Sequence, residues 1–140
     1  MIPKALLIFL IFLILLVIPT TPTTTFFFRG NIFCNHTGPY NYQIHVVEED
    51  ITSPNDEISR ASFVRATSSP SPFNISAFDT PDVLWNKYLE IAFNIYHDCN
   101  YNRRHLKGRV YIGEFLAYPG SHYIDDINID ITDKGDLDGW

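Results

Sequence analysis

The sequence predicts an all-β domain, a sandwich or barrel of about seven short strands, on three observations. First, Tyr88 to Asn100 alternates without interruption: Leu89, Ile91, Phe93, Ile95, His97 and Cys99 fall on one parity, and Glu90, Ala92, Asn94, Tyr96 and Asp98 on the other. A period of two assigns these sets to opposite faces of a sheet, one of which is apolar and needs cover. Second, further short apolar runs are separated by turn chemistry rich in Pro, Gly, Ser and Asn, with no long amphipathic helical pattern between them. Third, 15% of the 140 residues are aromatic, which suits a strand-rich protein with a packed core and argues against disorder.

The chain length is that of one domain, shortened by its amino terminus. Lys4 precedes an apolar run from Ala5 to Ile18, followed by Pro19-Thr20-Thr21-Pro22. A positive charge, a short apolar stretch and a polar, helix-breaking segment is the layout of a secretory signal peptide, placed at residues 1–22 with cleavage between Thr20 and Thr25. The run falls short of the roughly 18–20 residues that span a bilayer, so no stable membrane span is expected once the signal is removed. Thr stands where Ala is usual near the cut, so an uncleaved signal anchor is the alternative. Export implies an oxidising compartment. The chain has two cysteines, Cys34 and Cys99, which offer one intrachain pairing; the alternative is two buried thiols. They lack the spacing of a zinc or CxxC redox site.

The formal charge of −6 and the lack of a clustered basic face exclude nucleic acid as a partner; Arg103-Arg104 with Lys107 and Arg109 reads as a solvated turn. The elements then run in order. Phe26 to Cys34 is a strand in which Gly30 marks a bulge or a close backbone approach. Tyr42 to Glu49 alternates Tyr42, Ile44 and Val46 with Gln43, His45 and Val47. A loop over Asp50 to Asp56 leads to a third strand, Glu57 to Thr67, with Ala61, Phe63 and Arg65 on one face. Phe73 to Phe78 is a short fourth strand after the turn Ser68-Ser69-Pro70-Ser71-Pro72. Val83-Leu84-Trp85 reads as a helical turn ahead of the long strand. Gly108 to Phe115 and Tyr123 to Ile131 complete the set, the last with Ile127, Ile129 and Ile131 on one face. The domain is bounded at 26–132, and residues 133–140 are expected to form a loose acidic tail.

Three of these segments together resemble the transthyretin-like family of secreted nematode proteins. Phe28-Arg29-Gly30-Asn31-Ile32-Phe33-Cys34-Asn35 is similar to that family's first strand, Tyr42 to Asp50 to its second, and Tyr88-Leu89-Glu90-Ile91 with Ile95-Tyr96-His97-Asp98-Cys99-Asn100 to its signature. The positions carrying the resemblance are Gly30, Tyr96, His97, Asp98, Cys99 and Asn100, and it covers Phe28 to Ile131. It implies a transthyretin-type, immunoglobulin-like two-sheet β-sandwich of about seven or eight strands, exported, with no general catalytic role. The chain departs from the family pattern in three places. Pro72 and Asp79 flank the fourth strand where the family has glycines. Ala92-Phe93-Asn94 are extra in the long strand, which implies added length or a bulge. A second cysteine pair, common in the family, is missing.

The sequons Asn35-His36-Thr37 and Asn74-Ile75-Ser76 make Asn35 and Asn74 candidate glycosylation sites. His97, on the apolar parity beside Cys99, is read as structural and locally hydrogen-bonded, because His45, His105 and His122 lie at no spacing that makes a ligand set. Tyr118-Pro119-Gly120-Ser121 resembles the Tyr-Arg-Gly-Ser of the hydroxyisourate hydrolases, but it is not carboxy-terminal and Pro replaces the Arg. The acidic residues of 133–140 lack calcium-loop spacing. No catalytic residue, metal or cofactor is expected. The expected function is an extracellular or cell-surface binding protein whose partner is an extracellular protein, a cell surface or a small apolar ligand. The alternatives are a hydroxyisourate-type hydrolase and a structural protein that forms homo-oligomers through sheet edges.

Overall fold

The computed structural model describes residues 23–49, 54–80 and 88–137. The expected signal peptide, the helical turn at Val83-Leu84-Trp85, residues 50–53 of the second loop and the last three residues of the tail lie outside them. The described residues are all-β. Nine strands, β1 (Thr24–Phe33), β2 (Tyr40–Glu48), β3 (Asp56–Arg60), β4 (Val64–Ala66), β5 (Ser71–Asp79), β6 (Tyr88–His97), β7 (Leu106–Leu116), β8 (Gly120–Asp130) and β9 (Asp136–Leu137), form two sheets. The smaller has the order β5-β1-β8. The larger has the order β3-β2-β6-β7-β9, with β4 also on β2. Pairings are antiparallel except β1 with β8, which is parallel.

The sheets face each other across one apolar layer, as their alternation demands. Phe26, Phe28 and Ile32 of β1 and Ile75 and Ala77 of β5 are buried against Tyr42, Ile44 and Val46 of β2 and Leu89, Ile91, Phe93 and Ile95 of β6. Phe93 sits at the centre, with its ring edge-on to Phe28 at 5.2 Å and to Phe73 at 6.0 Å across the interface. Each such ring contributes roughly 1.5–3 kcal/mol by leaving water, which makes β1 and β6 the pair around which the sandwich-like core closes.

Three sequence expectations are corrected and one is refined. The third strand is two strands. Ala61 to Phe63 leave the ladder, which shifts the phase, so Ile58, Val64 and Ala66 face inward while Phe63 and Arg65 are exposed. The face expected for the last strand holds, since Ile127, Ile129 and Ile131 all pack into the core, but a bulge precedes them. Phe28 pairs with Ile124 and Gly30 with Ile127, so β8 carries one extra residue in a bulge at Asp125-Asp126, where Asp126 has φ 59°. Ile124 therefore faces the core before the bulge, and Ile127 and Ile129 after it. The irregularity expected in the long strand is a bulge on its neighbour. Ile91 pairs with Gly113 and Ala92 with Tyr111, leaving Ile112 as the extra residue of β7, while β6 pairs with β2 without interruption. The tail is not loose at Asp136-Leu137, because β9 pairs there with Leu106 and Lys107 of β7. Gly135, at φ 110°, permits this: a Cβ there would lie 2.6 Å from the Lys107 carbonyl oxygen.

Candidate functional site

Beyond its last paired residue, β6 continues into Asp98, Cys99 and Asn100, all buried with His97. Each of the four side chains ties this end of the strand to a different part of the fold. His97 Nε2 bonds the Lys134 carbonyl at 2.8 Å, and its Nδ1 accepts the Cys99 N–H at 3.2 Å. Asp98 accepts the backbone N–H of Asn41 at 2.7 Å and the Asn41 side-chain amide at 2.6 Å. Cys99 is disulfide-bonded to Cys34 with Cα atoms 6.0 Å apart, joining the end of β6 in one sheet to the residue after β1 in the other. Asn100 spans the following turn, donating to the Arg104 carbonyl at 2.6 Å and accepting the Arg104 N–H at 3.0 Å. The segment is a clasp holding both sheets, the tail and the loop after β6.

The two bonds of His97 fix its neutral form. Nδ1 must be bare to accept the Cys99 amide, so Nε2 carries the proton donated to Lys134. Burial pushes the His97 pKa below its ordinary value, against weaker opposing effects from the Lys134 carbonyl and Asp98. Burial also lowers the pKa of His45, against the opposing charge of Glu57. The unfolded chain takes up these protons near pH 6.5 while the folded chain does not. Their contribution to stability is therefore complete above about pH 6.5 and is lost as pH falls through the folded-state values. Urea midpoints measured from pH 8 to pH 4.5 are expected to drop on the acid side, with a shallower drop in His97→Gln than in the wild type.

The other signature residues lie apart from the clasp. Gly30 is on β1 opposite the β8 bulge, where a Cβ would meet the Ile127 carbonyl oxygen at 1.8 Å. Tyr96 lies on the outer face of the larger sheet. Both sequon asparagines are exposed. Asn35 follows β1, with its backbone N–H bonded to Thr132 Oγ1 at 2.9 Å. Asn74 lies on the outer face of β5.

Tyr96 belongs to a polar group that sequence reasoning did not assemble. On the outer face of the larger sheet, Gln43 pairs with Tyr96 and Tyr96 with Lys107, while His45 pairs with Asn94 and with Arg60. His45 Nδ1 bonds Glu57 Oε2 at 2.9 Å, and Arg60 Nε bonds Glu57 Oε1 at 2.9 Å. The guanidinium of Arg60 holds the Glu57 pKa below its ordinary value. The His45 ring lies 4.6 Å from that of Tyr96, over which Lys107 places its ammonium at 5.2 Å. Further along the face, Arg109 makes a bidentate ion pair with Glu49. The alternation of β2 and β6 puts these side chains on outward parities, but which of them meet is set by strand register, which the local pattern does not carry. The result is a face of mixed charge. A cleft of about 540 Å³ adjoins it along β7, between Lys107, Arg109, His97 and Lys134.

The remaining histidines are not brought together with His97. His36 pairs with Asp133 at 2.9 Å beyond β1, and His122 lies between the rings of Phe26 and Tyr118 near the start of β8. Tyr118 to Ser121 form the turn into β8, where the Tyr118 carbonyl accepts the Thr24 hydroxyl at 2.9 Å. Among the described residues, no group of three His, Cys, Asp or Glu side chains is placed to hold a metal ion, and no helix is long and apolar enough to cross a membrane. The fold and site thus define an all-β, two-sheet, disulfide-bonded domain. No protein-family model, curated protein or solved structure matches the chain.

Proposed function

We propose that the chain is a secreted, non-enzymatic binding protein of the transthyretin-like kind, acting outside the cell or at its surface. The observation that carries this reading is the use made of His97, Asp98, Cys99 and Asn100. Every one of these side chains is committed to an internal bond, which suits a scaffold and leaves the outer faces and loops to meet a partner. The amino-terminal signal layout and the disulfide support export, since such bonds persist in oxidising compartments. The two-sheet, sandwich-like arrangement agrees with the transthyretin-type architecture that the resemblance implies. The mixed-charge face around His45, Glu57, Arg60 and Lys107 favours an extracellular protein as the partner, because complementary charge steers and orients protein encounters. One observation favours self-association as a second reading: β8 ends the smaller sheet among the described residues and presents an edge of eleven residues. The full chain recovered from the medium of secreting cells is expected to give no hydroxyisourate turnover above buffer. Turnover that survives purification to homogeneity would replace the binding reading with the hydrolase one.

A further inference from the structure

The outer face of the smaller sheet carries an aromatic platform beside a sequon. Register places Ser76, Phe27 and Tyr123 in one row across β5, β1 and β8, and Asn74 and Arg29 in the adjacent row. The rings of Phe27 and Tyr123 are stacked, with centroids 5.0 Å apart and planes 13° from parallel. Tyr123 is 68% exposed, and so is Phe78, two residues beyond Ser76 on the same face. Tyr123 covers one side of the Phe27 ring. On the opposite flank, the residue paired with Phe27 is Ser76, a small one. Asn74 is the diagonal cross-strand neighbour of Phe27, a separation of roughly 7–8 Å between backbone positions. Among the described residues, none bonds the Asn74 amide, so its nitrogen is available to carry a substituent. Arg29, the residue directly opposite Asn74, is drawn away from it into an ion pair with Asp125 at 2.8 Å.

We propose that Asn74 carries an N-linked glycan whose first sugar packs over Ser76 onto the face of Phe27 turned away from Tyr123, so that the glycan covers the aromatic platform of the smaller sheet. The proposal rests on the export reading, since the modification needs passage through the secretory pathway. A pyranose has an apolar face of C–H groups that complements the electron-rich face of an aromatic ring. Attached at Asn74, it would reach Phe27 without moving the backbone. Exposed aromatic rings on a sheet face are otherwise a liability for association, and a glycan fixed above them removes it. Partner binding is thereby confined to the larger sheet and the loops. Asn35 lies beyond the end of β1, away from this platform.

The test is a cycle of variants of the full chain, recovered from the medium of glycosylating cells. Peptide mapping is expected to find Asn74 occupied. Asn74→Gln is expected to lower the melting temperature by about 4 °C, the size of a 0.5–1 kcal/mol contact in a domain of this length. It is expected to lower it by less than about 1 °C when Phe27→Thr or Tyr123→Ser is already present, because the contact is then gone. Asn35→Gln is expected to show no such coupling. Tyr123 is a surface position, so its variant remains informative if Phe27→Thr does not accumulate. An exported chain with Asn74 empty, or an occupied Asn74 whose loss is additive with both aromatic variants, overturns the proposal alone. A chain retained in the cell with both sequons empty overturns the export reading and this proposal with it.

Discussion

Replacing Cys34 and Cys99 together with alanine is expected to cost about 4 kcal/mol and to lower the melting temperature by roughly 20 °C. The size follows from the span of the bond. Its two residues are 65 apart in sequence, so reduction frees a long loop in the unfolded chain. The position adds to the effect. Cys34 directly follows β1 and Cys99 lies two residues past β6, so the bond joins the two sheets at one end of the core. Differential scanning calorimetry of the double variant, alongside wild type with and without reductant, measures the loss. Reduced wild type and the double variant are expected to melt together, since both lack the same constraint. The hydrogen bonds of His97, Asp98 and Asn100 remain available to the variant, which should therefore fold with the same strand content by circular dichroism.

Gly30→Ala is the second large effect, with an expected loss of about 3 kcal/mol or more. The added methyl would lie 1.8 Å from the Ile127 carbonyl oxygen and 2.6 Å from its carbon, both backbone atoms. A flexible side chain can turn aside, but a paired strand cannot. The methyl can be admitted only if β1 and β8 separate at the bulge, and β1 is the central strand of its sheet. The urea midpoint is the appropriate readout. Asp126→Gly is the companion variant. Asp126 holds φ 59° in the same bulge, a conformation that glycine adopts freely, so this change is expected to stay within about 1 kcal/mol of wild type. Together the two variants separate a steric requirement at Gly30 from a general sensitivity of the bulge.

The sequence disclosed the parts of the fold that depend on local alternation, and it concealed those that depend on register. β6 and β1 are interior strands with one face on the core, so Leu89, Ile91, Phe93 and Ile95 keep one parity, as do Phe26, Phe28 and Ile32, and the assignment of both strands from pattern stands. Gly30 was legible as a bulge or a close approach because an isolated glycine in a strand pattern has few other uses. The break after Arg60 was not legible, since Ala61-Ser62-Phe63 contains no Pro or Gly to mark it. The β8 bulge did leave a local signal: Asp125-Asp126 puts two polar residues between Ile124 and Ile127, which breaks the alternation and shifts its phase. The tail read as loose because its residues are charged. It is held by backbone pairing with β7 and by the His97 bond to Lys134, neither of which needs an apolar side chain. The group around His45, Glu57 and Arg60 depends on which strands are neighbours, and single-strand periodicity carries no such information.

The central claim is that the end of β6 is an internal clasp of an exported domain. Its most direct test is non-reducing peptide mapping of the full chain recovered from the medium of secreting cells and alkylated before digestion. The expected result is one linked peptide pair containing Cys34 and Cys99, with no alkylated cysteine. Recovery of both cysteines as alkylated, unlinked peptides would contradict the claim.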